Sequence, residues 1–151
     1  MKIIVPYGIR LSADGRIEVM PIVEARIKHV NKTASILGIF LIDSGATTTL
    51  LPSTDAQALD LVLESGVKVM VSGVTGHHLV GYRHDITLNI QSCLLDRIPV
   101  IFAKNQNVPR VLGREGIFSK FAILFDEARR RTAFLDAKKH RKDIDALLGT
   151  K

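Results

Sequence analysis

The sequence predicts an all-β, mostly strand protein of one domain, with one or two short helices. Three observations carry that expectation. Apolar and polar residues alternate in several stretches, as in Val23, Ala25 and Ile27 against Glu24, Arg26 and Lys28, which is the period of a half-buried strand. A continuous apolar run, Ile39-Phe40-Leu41-Ile42, ends on Asp43. A glycine-rich segment at 71–81 joins two further alternating stretches. At 151 residues the chain is long enough for a core of its own.

Taken in order, residues 1–20 read as a hairpin turning at Ser12-Ala13-Asp14-Gly15, so Asp14 and Gly15 are assigned to turn geometry. Pro21 interrupts the ladder, 22–30 is a strand and Asn31-Lys32 is a turn. The run through Ile42 reads as a strand buried on both faces. After Pro52, Thr54 followed by Gln57 matches a capping box. Leu59, Leu61, Val62 and Leu63 then give a short amphipathic helix ending near Gly66. Strands at 67–71 and 86–91 flank the glycine-rich tip, and so many glycines suit a lid that opens and closes. A strand at 98–103 contains Pro99, 105–109 is a loop and 114–121 is a short helix. Strands at 121–125 and 132–135 form a last hairpin over the charged turn 127–131, and 138–148 has weak helical patterning. No internal repeat or low-complexity linker is visible.

The chemistry concentrates in 36–52, ILGIFLIDSGATTTLLP. A carboxylate at the end of a buried strand is costly unless hydrogen bonds or a second group compensate it. Gly45 permits a tight turn and close backbone approach, and Ser44 and Thr47 supply hydroxyls able to hold the carboxylate in one plane. The bland alternative for Asp43 is a turn aspartate that accepts backbone N–H bonds.

This stretch resembles the active-site loop of aspartic proteases, in which an apolar strand runs into Asp-(Thr/Ser)-Gly-(Ala/Ser/Thr). The glycine-rich VSGVTGHHLVG follows where such proteins carry a flap. Val111-Leu112-Gly113-Arg114 is similar to the segment that crosses behind the catalytic loop. Met20-Pro21-Ile22-Val23 also resembles the family's first strand. The resemblance covers residues 20–135, and Asp-Ser-Gly occurs once, which points to the single-domain, homodimeric branch, the retropepsin-like proteases.

The resemblance implies a closed acid-protease barrel at 21–135, an N-terminal hairpin addition at 1–20 and a basic C-terminal helix or tail at 136–151. It implies an aspartic endopeptidase without cofactor, cleaving peptide or protein substrates between two Asp43 carboxyls, one per subunit. Asp43 would be the catalytic acid/base, with Ser44, Gly45, Ala46 and Thr47 completing the active-site loop. Ser44 would bond across the dyad and Ala46 would line the cleft. Gly73, Val74, Thr75 and Gly76 would form the flap tip, binding an extended peptide by strand addition. Leu112, Gly113 and Arg114 would support the loop from behind. Retroviral members commonly carry an acid where this chain has Thr47, so Arg114 is left with backbone carbonyls, Asp126 or a partner subunit's acid. The rival reading is a non-catalytic module of this fold that dimerises or binds a peptide or protein.

Composition narrows the remaining classes. A formal charge of +6 invites a nucleic-acid reading. Much of it sits in Arg129-Arg130-Arg131 and Lys138-Lys139-His140-Arg141-Lys142, only 5% of residues are aromatic, and no nucleic-acid-binding signature is present. A nucleic-acid partner is therefore disfavoured. No apolar stretch reaches the ~20 residues needed to span a bilayer, and the first residues show no secretory signal. A single cysteine, Cys93, excludes an intrachain disulfide and fits a reducing compartment. A cytoplasmic protein is expected. His77, His78, His84 and Asp85 lack metal-ligand spacing, since adjacent residues of a strand face opposite ways. Ser44 lies in no G-x-S-x-G elbow.

Overall fold

The computed structural model describes residues 1–72, 76 and 78–149. Strand β1 (Lys2–Pro6) is followed by a ribbon of β2 (Gly8–Leu11) and β3 (Ile17–Met20). Next come β4 (Ile22–His29), β5 (Ser35–Ile42), β6 (Thr49–Leu51) and helix α1 (Ser53–Ala58). Beyond these lie β7 (Val67–Ser72), β8 (His78–Ile90), β9 (Cys93–Ala103) and β10 (Val111–Leu112). β11 (Phe121–Asp126), β12 (Arg131–Asp136) and helix α2 (Arg141–Leu148) complete the described chain.

The large sheet runs β4-β5-β10-β6-β9-β8-β7, and β4 also pairs with β8, which closes six strands into a barrel. The long strand β8 makes closure possible by changing neighbours along its length. Its first half pairs with β7, from His78 opposite Ser72 to Arg83 opposite Val67. Its second half pairs with β4, from Ile86 opposite His29 to Asn89 opposite Arg26. A register shift against β9 between Ile86 and Leu88 lies at the start of the half paired with β4; such a bulge bends a strand and increases its twist.

Period-two alternation fills the interior. Val23, Ala25 and Ile27 of β4 meet Phe40 and Ile42 of β5, Ile86, Leu88 and Ile90 of β8, and Ile98, Val100 and Phe102 of β9, all buried. The expectation that β5 is covered on both faces is corrected: Leu37 and Ile39 are 52% and 56% exposed. A barrel strand has one inner face, and Leu37 and Ile39 lie on the outer one.

Other elements differ from expectation in instructive ways. The N-terminal turn lies where predicted, but only β2 and β3 pair across it. β1 leaves for a separate sheet, where it pairs with β12 from Lys2 opposite Leu135 to Pro6 opposite Arg131. The helix after Pro52 stops at Ala58, with no side-chain cap at its start. Asp60 takes a left-handed φ of 52°, and a 3-10 turn at Leu63–Ser65 replaces the expected continuation. The helix expected at 114–121 is a pair of turns, Phe118 N–H to Arg114 C=O at 2.9 Å and Phe121 N–H to Ile117 C=O at 3.0 Å. Gly116, at φ 76°, takes the chain out of helical geometry. Pro99 is tolerated in β9 because β6 pairs only with Val100 to Phe102, so Pro99 lies beyond that ladder.

Candidate active site

β5 delivers Asp43 to one end of the barrel, and the loop 43–48 turns the chain back into β6. The two-residue strand β10 fills the gap between entry and exit. Val111 and Leu112 run parallel to Leu41 and Ile42, and Val111 also pairs antiparallel with Leu50. Asp43 N–H donates to the Leu112 carbonyl at 3.1 Å, and Ile42 N–H to the Pro21 carbonyl at 2.9 Å. The aspartate is thus held by backbone bonds to segments distant in sequence.

Inside the loop, Gly45 N–H donates to Asp43 Oδ1 at 2.8 Å and Ala46 N–H to the Asp43 carbonyl at 3.3 Å. A Cβ on Gly45 would stand 3.1 Å from Asp43 Oδ1, so the glycine keeps that side of the carboxylate open. Asp43 and Ala46 are half-buried, while Ser44, Gly45 and Thr47 are exposed. Oδ2 of Asp43 has no hydrogen-bond partner among the described residues. The carboxylate is therefore oriented through one oxygen and presents the other.

Leu112 and Gly113 lie behind the loop, fully buried. A Cβ on Gly113 would fall 2.5 Å from the Thr48 carbonyl carbon and 2.8 Å from Thr49 N. Only glycine allows the two backbones to touch there. Gly113 N–H donates to Thr49 Oγ1 at 3.1 Å in a buried bond, and Arg114 N–H to the Ala46 carbonyl at 2.9 Å. Sequence reasoning passed over Thr49. Its signal was the alternation with the apolar Leu51, which puts a threonine on an inward position of β6 where it needs a partner. Thr49→Val is expected to lower stability by about 1–3 kcal/mol, because the Gly113 N–H is left buried without an acceptor. Urea unfolding beside Thr49→Ser, which keeps the hydroxyl, measures it.

Arg114 does not reach Asp126. Its guanidinium donates to Thr47 Oγ1 at 3.4 Å. The Asp126 carboxylate is taken by Arg131 at 2.8 Å and by Arg129 at 3.6 Å, and these bonds, that from Arg131 foremost, lower its pKa. Arg130 pairs with Glu127 and Arg141 with Asp145 at 2.7 Å, so much of the basic run is matched locally. The acid nearest in sequence to Arg114, Glu115, is engaged elsewhere: it accepts from Thr48 Oγ1 at 3.0 Å and from Arg83 at 2.6 Å.

Of the expected flap residues, Gly73, Val74 and Thr75 lie outside the described residues. Gly76 is exposed, with φ 76° and open space where a Cβ would point. The strands flanking the segment expected as a lid pair with each other as β7 and β8. His77 also lies outside the described residues, and no group of three His, Cys, Asp or Glu able to hold a metal occurs among the rest. Cys93 is half-buried, and burial pushes its thiol pKa up, the opposite of an activated nucleophile.

The sequence profile of the family described as "gag-polyprotein putative aspartyl protease" matches residues 29–116, more than half of the chain, including the Asp43 loop and the segment 111–115 behind it. The chain belongs to this family of retropepsin-like aspartic proteases. Among solved structures, a retropepsin-like aspartic protease from Rickettsia conorii superposes with a TM-score of 0.61 at 17% identity, over 88% of this chain and 98% of that one. At that identity the likeness is one of fold, and it is the closed retropepsin-like barrel. The EIAV protease bound to the inhibitor HBY-793 aligns at 18% identity and TM-score 0.48, over 87% of this chain and 90% of that one. No match was found among curated proteins. In this barrel the Asp-Ser-Gly loop stands at the end of β5 and the Leu-Gly-Arg segment lies behind it.

Proposed function

We propose that the chain is an aspartic endopeptidase whose active site is completed by a second copy of itself. The observation that carries this reading is Asp43: part-exposed, fixed through Oδ1 by its own loop, and offering Oδ2 to whatever lies in front. Hydrolysis of a peptide bond without metal or covalent intermediate needs a base for the water and an acid for the substrate. Two carboxyls about 3 Å apart cannot both ionise and so hold one proton between them, supplying one group of each kind. The chain encodes Asp-Ser-Gly once, so the second carboxyl comes from a two-fold-related Asp43.

In this reading the ionised Asp43 takes a proton from water as its oxygen adds to the peptide carbonyl carbon. The protonated Asp43 of the other copy gives its proton to the carbonyl oxygen. The tetrahedral diol then collapses: the C–N bond breaks, the amine leaves with the proton the first Asp43 took from water, and the second, now ionised Asp43 takes a proton from a diol hydroxyl, leaving a carboxylic acid and the dyad with its one proton. In the same reading Ser44, which is exposed beside Asp43, bonds across the axis, and the β7–β8 hairpin covers an extended peptide.

A peptide carrying a tetrahedral hydroxyl mimics the diol and binds tightly to the groups that stabilise it. Titration calorimetry is expected to give one such inhibitor per two chains, with light scattering reporting a dimer. One inhibitor per chain, or cleavage by a monomer, overturns the reading; a dimer that binds peptides without cleaving them points to the non-catalytic module instead.

A further inference from the structure

We propose that Glu115 is a positioning residue that ties the Asp43 loop to the base of the β7–β8 hairpin through Arg83. The inference rests on the protease reading for its consequence and on geometry for its existence.

Glu115 touches the loop twice. Its backbone N–H donates to the Thr47 carbonyl at 2.8 Å, and its Oε2 accepts from Thr48 Oγ1 at 3.0 Å in a part-buried bond. Its other oxygen, Oε1, accepts from Arg83 Nη2 at 2.6 Å. Arg83 belongs to β8, opposite Val67 of β7 and Ile101 of β9. One carboxylate therefore joins the loop that holds Asp43 to the hairpin expected to close over the substrate.

The backbone around Glu115 allows little drift. Gly113 is pressed against the Thr48–Thr49 peptide, and a Cβ on Gly116 would meet Ile98 at 2.9 Å. The Arg83 and Glu115 side chains are 43% and 34% exposed, so as a lone surface pair they would contribute little stability. Their effect lies in what they connect: one short charge-assisted bond from Arg83 to Oε1, on a carboxylate whose Oε2 is held by Thr48. Displacement of the hairpin base pulls on Thr48, three residues past the hydrogen-bonded Asp43–Gly45 turn.

The test is amide hydrogen exchange on the full chain, read at Gly45 and Ala46, which Arg83 does not contact. Arg83→Met is expected to speed exchange at these amides about five-fold, and the increment should vanish in a Glu115→Ala background, as coupled residues require. Arg83→Lys, which restores a cation, should recover part of the protection. Thr48→Val, which cuts the tie on the loop side with no change of charge, should abolish the Arg83 effect as Glu115→Ala does. Unchanged exchange in Arg83→Met, or increments that simply add in the double variant, overturns the proposal.

Peptide cleavage supplies the second arm. Arg83→Met is expected to lower kcat about five-fold at a nearly unchanged melting temperature, because a slackened tie costs positioning of the reacting groups. If the wild-type chain cleaves no peptide, the protease reading fails and the exchange result still decides whether the tie exists.

Discussion

Asp43→Asn is expected to reduce kcat/KM for an unstructured peptide by about a thousand-fold or more, since general acid and base roles are lost together. The fold should survive. An asparagine has the same shape and its amide oxygen still accepts the Gly45 N–H that now binds Asp43 Oδ1. Circular dichroism and the urea midpoint check that half of the expectation. Mixing sharpens it, because each site uses one aspartate from each of two chains. With Asp43→Asn in about nine-fold excess and free exchange of subunits, only about a tenth of wild-type chains pair with their like. Wild-type activity should then fall about ten-fold, whereas a monomeric enzyme would keep all of it. Cleavage retained by the pure variant removes Asp43 from the chemistry.

Arg110→Met is expected to cost about 3 kcal/mol, since it strands a buried carboxylate, and to lower the melting temperature by about 10 °C. Arg110 grips Asp55 of α1 with two parallel bonds of 2.6 Å, and the side chains are 32% and 4% exposed. The Asp55 bond raises the Arg110 pKa, so the guanidinium stays charged at any pH the protein meets. Arg110 also accepts Leu41 N–H on its carbonyl at 3.0 Å, and its side chain lies where a Cβ on Gly38 would project, 3.0 Å from Cδ. The residue thus binds α1 to the strand that leads to Asp43. Asp55→Asn added to Arg110→Met should recover part of the loss, because an unpaired amide is cheaper to bury than an unpaired carboxylate. Full stability in Arg110→Met would show that water satisfies Asp55.

The strands were legible because period-two alternation is a direct imprint of a half-buried ladder; β4 and β7 needed nothing more. The apolar run of β5 misled for a related reason. Continuous hydrophobicity signals two covered faces in a layered protein, while here Leu37 and Ile39 stand on the outside of a barrel. Two residues are too short to show any period, so β10 was visible only through the family resemblance of its Leu112-Gly113-Arg114. The helix expected after Gly113 was undone by one backbone angle at Gly116, which composition does not reveal. Gly45 was singled out from sequence as a tight turn and Gly113 through the family resemblance; the structure gives the reason for glycine at 113, where a Cβ would meet the Thr48 carbonyl carbon at 2.5 Å. Glu115, Arg83 and the Asp55–Arg110 pair were missed, because a charge gains its meaning from a partner dozens of positions away.

The pairing of β1 with β12 has a kinetic consequence. Lys2 finds Leu135 only after nearly the whole barrel has left the ribosome, and closing so long a loop carries a large entropic cost unless the intervening chain has already condensed. The barrel strands are therefore expected to collapse first, with the terminal sheet docking onto them as a late step. Until it does, the newborn chain displays unpaired strand edges at both places where β1 and β12 will meet, and it is in that interval that misassociation with a neighbour competes with folding.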